Sequence, residues 1–159
     1  MNKRTAPGYG WWIEQGATTS WEQWDGSGSR NHPMFGGGLV WFYRKLAGMN
    51  ADPENPGYRN IIFRPQPAGD MTYASYSNLT PYGTAGIRWE KNGHEFLMEV
   101  TVPVGSSATV YVPVNASKTI RESGKVIKSN NRNISHLKTD NNYSVFKVIS
   151  GNYKFSAEL

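Results

Sequence analysis

Ile87-Arg88-Trp89-Glu90-Lys91-Asn92-Gly93-His94-Glu95-Phe96-Leu97-Met98-Glu99-Val100-Thr101-Val102 is the stretch that decides the fold. Phe96, Met98, Val100 and Val102 alternate with Leu97, Glu99 and Thr101, a period of two that turns one set of side chains to one face of a strand. Lys91-Asn92-Gly93-His94 supplies an Asn-Gly hairpin between Ile87–Glu90 and Glu95–Val102. The same alternation recurs in Ala108, Val110, Val112 and Val114, and again in Tyr153, Phe155, Ala157 and Leu159 against Lys154, Ser156 and Glu158. Further strands are expected at Ile61–Arg64, Met71–Ser77, Val126–Ile127 and Tyr143–Ile149. About eight short strands separated by turn signals indicate an antiparallel β-sandwich.

Towards the N-terminus the pattern changes. Asn50-Ala51-Asp52-Pro53-Glu54-Asn55-Pro56-Gly57 breaks any regular element with two prolines and a glycine. The chain therefore divides into residues 1–50, a linker at 51–57 and the sandwich at 58–159. A helix is expected at about 33–47, where Leu39, Phe42, Tyr43 and Leu46 recur at helical spacing on one face. Asn31 or His32 can cap it, Pro33 suits its first turn, and Gly48 is placed to end it. Arg44 and Lys45 fall in the last turn, where positive charge complements the helix dipole. Thr18 or Thr19 followed by Glu22 resembles a capping box and predicts a short helical turn over Thr18–Trp24.

Composition narrows the possibilities. With 159 residues, 38% apolar and 18% charged, the chain is long enough for one ordinary domain, or one domain plus an appendage, and too apolar for wholesale disorder. No apolar run approaches the ~20 residues of a membrane-spanning helix, and the opening residues Met1–Gly8 carry no apolar signal core. Cysteine is absent, which excludes disulfides, thiolate metal sites and a cysteine nucleophile but leaves the compartment open between cytoplasm and periplasm. Residues 1–57 balance five cations against five anions, so the whole net charge of +5 lies in 58–159, much of it between Lys118 and Lys138. That run has no interleaved aromatic residues to stack on bases, and solvated loops and short strands explain it better than nucleic-acid binding does. Five of the six tryptophans, by contrast, crowd into the first 41 residues. A stretch of ~50 residues with one good helix buries too little surface to enclose them. The expectation is that it completes a larger helical body.

The segment Gly16-Ala17-Thr18-Thr19-Ser20-Trp21-Glu22-Gln23-Trp24-Asp25-Gly26, followed by Asn31-His32-Pro33-Met34-Phe35-Gly36, is the richest in chemistry. A carboxylate between two indoles is partly desolvated, which makes it a better proton acceptor than a fully hydrated one. Glu22 fits that description, against the competing assignment as a capping-box glutamate. Asp25 is a second carboxylate, but beside Gly26 it reads more naturally as a turn residue. His32 can hydrogen-bond sugar hydroxyls, or simply cap the following helix. His94 and His136 read as surface residues. No cofactor or metal site is implied.

Gly16–Asp25, Asn31-His32 with Phe35-Gly36, and Trp41-Phe42-Tyr43 with Leu46-Ala47-Gly48 together resemble the bacterial α-L-rhamnosidases, inverting glycoside hydrolases. Pro56-Gly57-Tyr58, Ile61–Pro65, Thr80–Gly83, Ile87-Arg88-Trp89 and the closing Ser150–Phe155 extend the resemblance over essentially the whole chain. It implies the last helices of an (α/α)6 catalytic barrel at 1–50 and a jelly-roll-like C-terminal β-sandwich at 58–159. By the same resemblance Glu22 matches the general base that activates water, His32 a histidine of the rhamnose pocket, and Trp21 and Trp24 walls of the site. The partner is then a rhamnose-containing glycoside, with neither nucleic acid nor membrane involved. Most of the barrel, with the general acid, has no counterpart in this sequence, so the chain alone is expected not to hydrolyse rhamnosides. The alternative is a non-catalytic carbohydrate-binding β-sandwich module, with tryptophans stacking on sugar rings; most of the tryptophans, however, precede the sandwich.

Overall fold

A computed structural model describes residues 3–115, 119–128 and 131–159. Met1, and Lys118 at the start of the basic run, lie outside the described residues. The chain forms two compact units that meet in sequence between Trp41 and Phe42.

In the first unit, helix α1 (Tyr9–Glu14) is short and turns Trp12 inward, leaving it 3% exposed. The Trp12 ring stacks on Trp24 at 4.4 Å, Trp24 meets Phe35 at 4.6 Å, and Tyr9 stands edge-on to both indoles. The indole N–H of Trp12 donates to the Trp24 carbonyl at 3.2 Å, and the Tyr9 hydroxyl donates to the carbonyl of Phe35. Stacking of large flat rings shelters Trp12 and Trp21, but the stretch does not enclose all five of its tryptophans. Trp11 and Trp24 stay half-buried and Trp41 is 43% exposed.

The helix expected at 33–47 is three short turns of different pitch. They are a 3-10 turn at Pro33–Gly36, helix α2 (Gly37–Trp41) and a π turn at Phe42–Ala47. Gly36-Gly37-Gly38 weakens any regular helix there, and the wide π turn rotates the following side chains off the expected face. Leu39, ahead of that turn, is 48% exposed and Tyr43, within it, 41%, whereas Leu46 is 5% exposed. His32 stands at the N-cap position without a side-chain capping bond. The helical turn expected over Thr18–Trp24 is an irregular loop instead.

The second unit is a sandwich of two sheets. The first holds β1 (Met49–Ala51), β2 (Asn60–Phe63), β6 (Ser107–Pro113), β10 (Tyr143–Val148) and β9 (Ile134–Asp140), in the order β1-β2-β6-β10-β9. The second holds β3 (Tyr73–Thr80), β4 (Gly83–Asn92), β5 (Glu95–Val102), β11 (Gly151–Glu158), β7 (Arg121–Glu122) and β8 (Lys125–Val126), in the order β3-β4-β5-β11-β7-β8. All pairings are antiparallel except β2 with β6, which run parallel. Strands β1, β7 and β9 are additions to the expected set. Asp52 to Asn55, in the expected linker, form a tight turn in which the Asp52 carboxylate accepts from the Glu54 N–H and the Asn55 and Asn60 amides. The hairpin turn is centred on Gly93-His94, with Asn92 paired to Glu95, one residue later than the Asn-Gly pattern suggests. The described part of the basic run falls on the exposed β7–β8 hairpin, the loop that follows it and strand β9.

The alternating residues meet between the sheets as anticipated: Phe96, Met98, Ala108, Val110, Val112 and Phe155 are fully buried. Phe146 of one sheet stacks on Phe155 of the other at 5.8 Å, and Trp89 stacks on Phe96 at 5.8 Å. Trp89 is fully buried and its indole N–H donates to the Leu46 carbonyl at 2.9 Å, which ties the π turn to the sandwich core. Gly48, at φ +87°, lets the chain leave that turn against the end of β2. A Cβ at Gly48 would sit 2.3 Å from the Arg64 carbonyl carbon and Pro65 nitrogen.

Trp89→Phe is expected to lower unfolding stability by about 2–4 kcal/mol, from a lost indole volume and an orphaned buried carbonyl; urea unfolding measures this, and a loss under about 0.5 kcal/mol would count against the Leu46 bond. Gly48→Ala and Gly69→Ala both place a side chain at positive φ, but Gly69 faces open space. The Gly48 variant is therefore expected to lose clearly more than the roughly 1–2 kcal/mol of left-handed strain that both share, and equal midpoints in urea would refute the clash.

Candidate functional site

The site candidates lie in one loop of the first unit, Ala17–His32. Its two arms are joined at the neck. The Glu22 N–H donates to the Ser29 carbonyl and the His32 N–H to the Ser20 carbonyl, each at 2.8 Å, and the Thr19 hydroxyl donates to the Arg30 carbonyl. Glu22, Trp21 and His32 thus sit on facing arms, while Trp24 leaves the tip to join the aromatic stack.

Glu22 does not cap a helix. Its Oε2 accepts the Ser29 N–H at 2.9 Å, the carboxylate is half-exposed, and Oε1 has no hydrogen-bond partner among the described residues. Gly28, at φ +70°, leaves the space into which that carboxylate folds. Asp25 is held differently. Its Oδ1 accepts the Ser27 hydroxyl at 2.7 Å and the Ser27 N–H at 2.9 Å, closing an Asx turn. Those bonds, the hydroxyl first, hold its carboxyl below the usual range and keep it charged, so it is poorly suited to donate a proton.

Trp21 is 7% exposed and lies under the Arg30 guanidinium, 4.9 Å from the ring centroid, while Arg30 Nε donates to the Gly26 carbonyl at 3.2 Å. Arg30 is the residue that sequence reasoning missed. It stands nine positions from Trp21, and only closure of the loop brings cation and ring together. His32 is half-buried with its backbone anchored to Ser20. Of the other histidines, His94 occupies the β4–β5 turn and His136 stands edge-on to Phe146 at 5.3 Å. The described residues hold no cluster of three His, Cys, Asp or Glu side chains fit for a metal ion.

Several open concavities mark the sandwich. One of about 410 Å³ lies among Pro67, Lys91, Pro113 and Tyr143, and one of about 370 Å³ among Ile120, Ile127, Lys128, His136 and Phe146. No carboxylate side chain lines either of these two.

Residues 48–127 match the family described as the bacterial alpha-L-rhamnosidase C-terminal domain, and residues 1–46 match the bacterial alpha-L-rhamnosidase 6 hairpin glycosidase domain. The structure is similar to an alpha-L-rhamnosidase from Dictyoglumus thermophilum, with a TM-score of 0.85 and 37% identity over 98% of this chain and 18% of that one. It is also similar to the Streptomyces avermitilis alpha-L-rhamnosidase solved with L-rhamnose, with a TM-score of 0.82 and 27% identity over 97% of this chain and 15% of that one. An alpha-L-rhamnosidase of Formosa agariphila is 28% identical over 97% of this chain and 18% of its own length. The chain thus spans between 15% and 18% of the length of these relatives. With both parts of the chain matched in sequence and fold, it belongs to the bacterial α-L-rhamnosidase family, as a C-terminal part of such a protein.

Proposed function

We propose that this chain supplies the general base of an inverting α-L-rhamnosidase, and that the base is Glu22. The observation that supports it is a half-exposed carboxylate with one oxygen tethered by the Ser29 amide and the other open. In an inverting glycosidase one carboxylate takes a proton from water as the water attacks the anomeric carbon, while a second carboxyl protonates the departing oxygen. The two must stand roughly 6.5–9.5 Å apart to admit the water. Asp25 is bound into its own turn and does not meet that description. The acid belongs to the part of the relatives that this chain does not match. On this reading the helical turns before Gly48 are the last of the barrel with their loops, and the C-terminal sandwich begins at β1, so that the expected linker at 51–57 is a turn within it. His32 hydrogen-bonds rhamnose hydroxyls, Trp24 walls the site, and Trp21 backs the loop beneath Arg30. The substrate is a rhamnose-containing glycoside, and the proton transfers need no cofactor.

Purified 1–159 is expected to show no turnover of an aryl α-L-rhamnoside. A chimaera in which this chain replaces the matching 18% of the Dictyoglumus thermophilum enzyme is expected to hydrolyse it with inversion. Glu22→Gln in that chimaera should lower kcat by about 10²–10⁴-fold with KM little changed. An active chimaera indifferent to Glu22→Gln would sink the proposal.

A further inference from the structure

A carboxylate that takes a proton from water must hold one oxygen in a fixed direction, yet a glutamate side chain has several rotatable bonds with which to lose it. In this loop the direction is set from behind. Glu22 and Ser29 hold each other reciprocally: the Glu22 N–H donates to the Ser29 carbonyl at 2.8 Å, and the Ser29 N–H donates to Glu22 Oε2 at 2.9 Å. The residue between the Asx turn and that amide is Gly28, at φ +70°. A Cβ there would lie 2.7 Å from Oε2 and 3.2 Å from the carboxyl carbon of Glu22. The carboxylate can rest on the Ser29 amide only while position 28 has no side chain.

We infer that Gly28 is a positioning residue: with the Ser29 amide it forms a rest that tethers Oε2 of Glu22 and leaves Oε1 as the oxygen that receives the proton. This rests on the reading of Glu22 as the base. The atom in the way of a Cβ is the far end of a flexible side chain, not backbone, so an added methyl displaces the carboxylate and leaves the loop's neck bonds in place. Arg30 steadies the same loop from the other side through Trp21 and the Gly26 carbonyl.

The test begins with the full 159-residue chain labelled for amide NMR. An amide proton bonded to a carboxylate moves when that carboxylate is protonated, so the Ser29 amide is expected to shift as Glu22 titrates. The shift should vanish in Glu22→Gln and in Gly28→Ala. It should persist in Gly16→Ala, a control with a comparable φ of +78° and no atom within 4 Å of the added Cβ. Gly28→Asn, which tolerates positive φ, repeats the experiment should the alanine variant fold poorly. A Ser29 amide that still titrates with Glu22 in both Gly28 variants overturns the inference. In the chimaera, Gly28→Ala is expected to lower kcat by about 10²-fold with KM within about twofold, and to cost nothing further on a Glu22→Gln background. An additional loss on that background would assign Gly28 a general structural role and overturn its action through Glu22. A chimaera unaffected by Glu22→Gln would instead remove the base assignment, while the NMR result on the tether would stand.

Discussion

A buried indole N–H must find an acceptor, and in this protein the one at the centre of the sandwich finds the carbonyl of Leu46. Leu46 lies in the last turn of the helical run, where carbonyls have no partner within the helix. A donor orphaned in the core and an acceptor orphaned at a helix end therefore satisfy each other. Around this bond the chain is drawn tight. The Gln66 N–H donates to the Lys45 carbonyl at 3.0 Å and the Arg64 N–H to the Gly48 carbonyl at 2.7 Å, so the end of β2 is strapped beside the π turn. Gly48 is accordingly a steric requirement, because its α-carbon faces the Arg64–Pro65 peptide at a distance that admits no side chain. Strand β1 then follows in register with β2, and the parallel pairing of β2 to β6 carries that edge into the main sheet.

The candidate loop is built on other terms. It contains no ladder and no helix, and its shape depends on neck hydrogen bonds, an Asx turn, a cation over a ring and indoles stacked on one another. Such a loop leaves a carboxylate half in water yet directionally held, which a buried core position cannot do without penalising the charge. The packed part of this unit is the rings of Trp12, Trp21 and Trp24, while the Glu22 carboxylate remains only partly buried. That division of labour is the usual one for functional loops on a fixed support.

On the proposed reading of Glu22 as a base, this chain supplies half of an acid–base pair, in keeping with its span of between 15% and 18% of the length of its relatives. Glu22 and Asp25 are three residues apart in sequence, yet their surroundings separate them. One carboxylate is tethered by one oxygen and open at the other, and the other carboxylate is saturated by Ser27. Proximity in sequence alone would make them a tempting couple; their hydrogen bonds give them different surroundings.

The strands were legible in the sequence because a period of two is local: Phe96, Met98, Val100 and Val102 each carry their own evidence of facing inward, and the structure buries all four. The residues of the candidate loop stood out in the same local way, since Trp21, Glu22, Trp24 and His32 are chemically conspicuous at short range. The reading went astray where an outcome depends on partners far along the chain. Tyr43 and Leu46 have helical spacing, yet Tyr43 is left exposed in a π turn whose end is fixed by Trp89, 43 residues beyond Leu46. The parallel β2–β6 pair, the cation over Trp21 and the rest beneath Glu22 likewise join residues whose relation no local pattern records. Sequence by itself determined which residues alternate, which break the chain and which can ionise, because those are properties of neighbours. Only tertiary structure decided which oxygen of Glu22 is tied and which indoles stay dry, because both follow from where the closed loop brings a distant amide or ring.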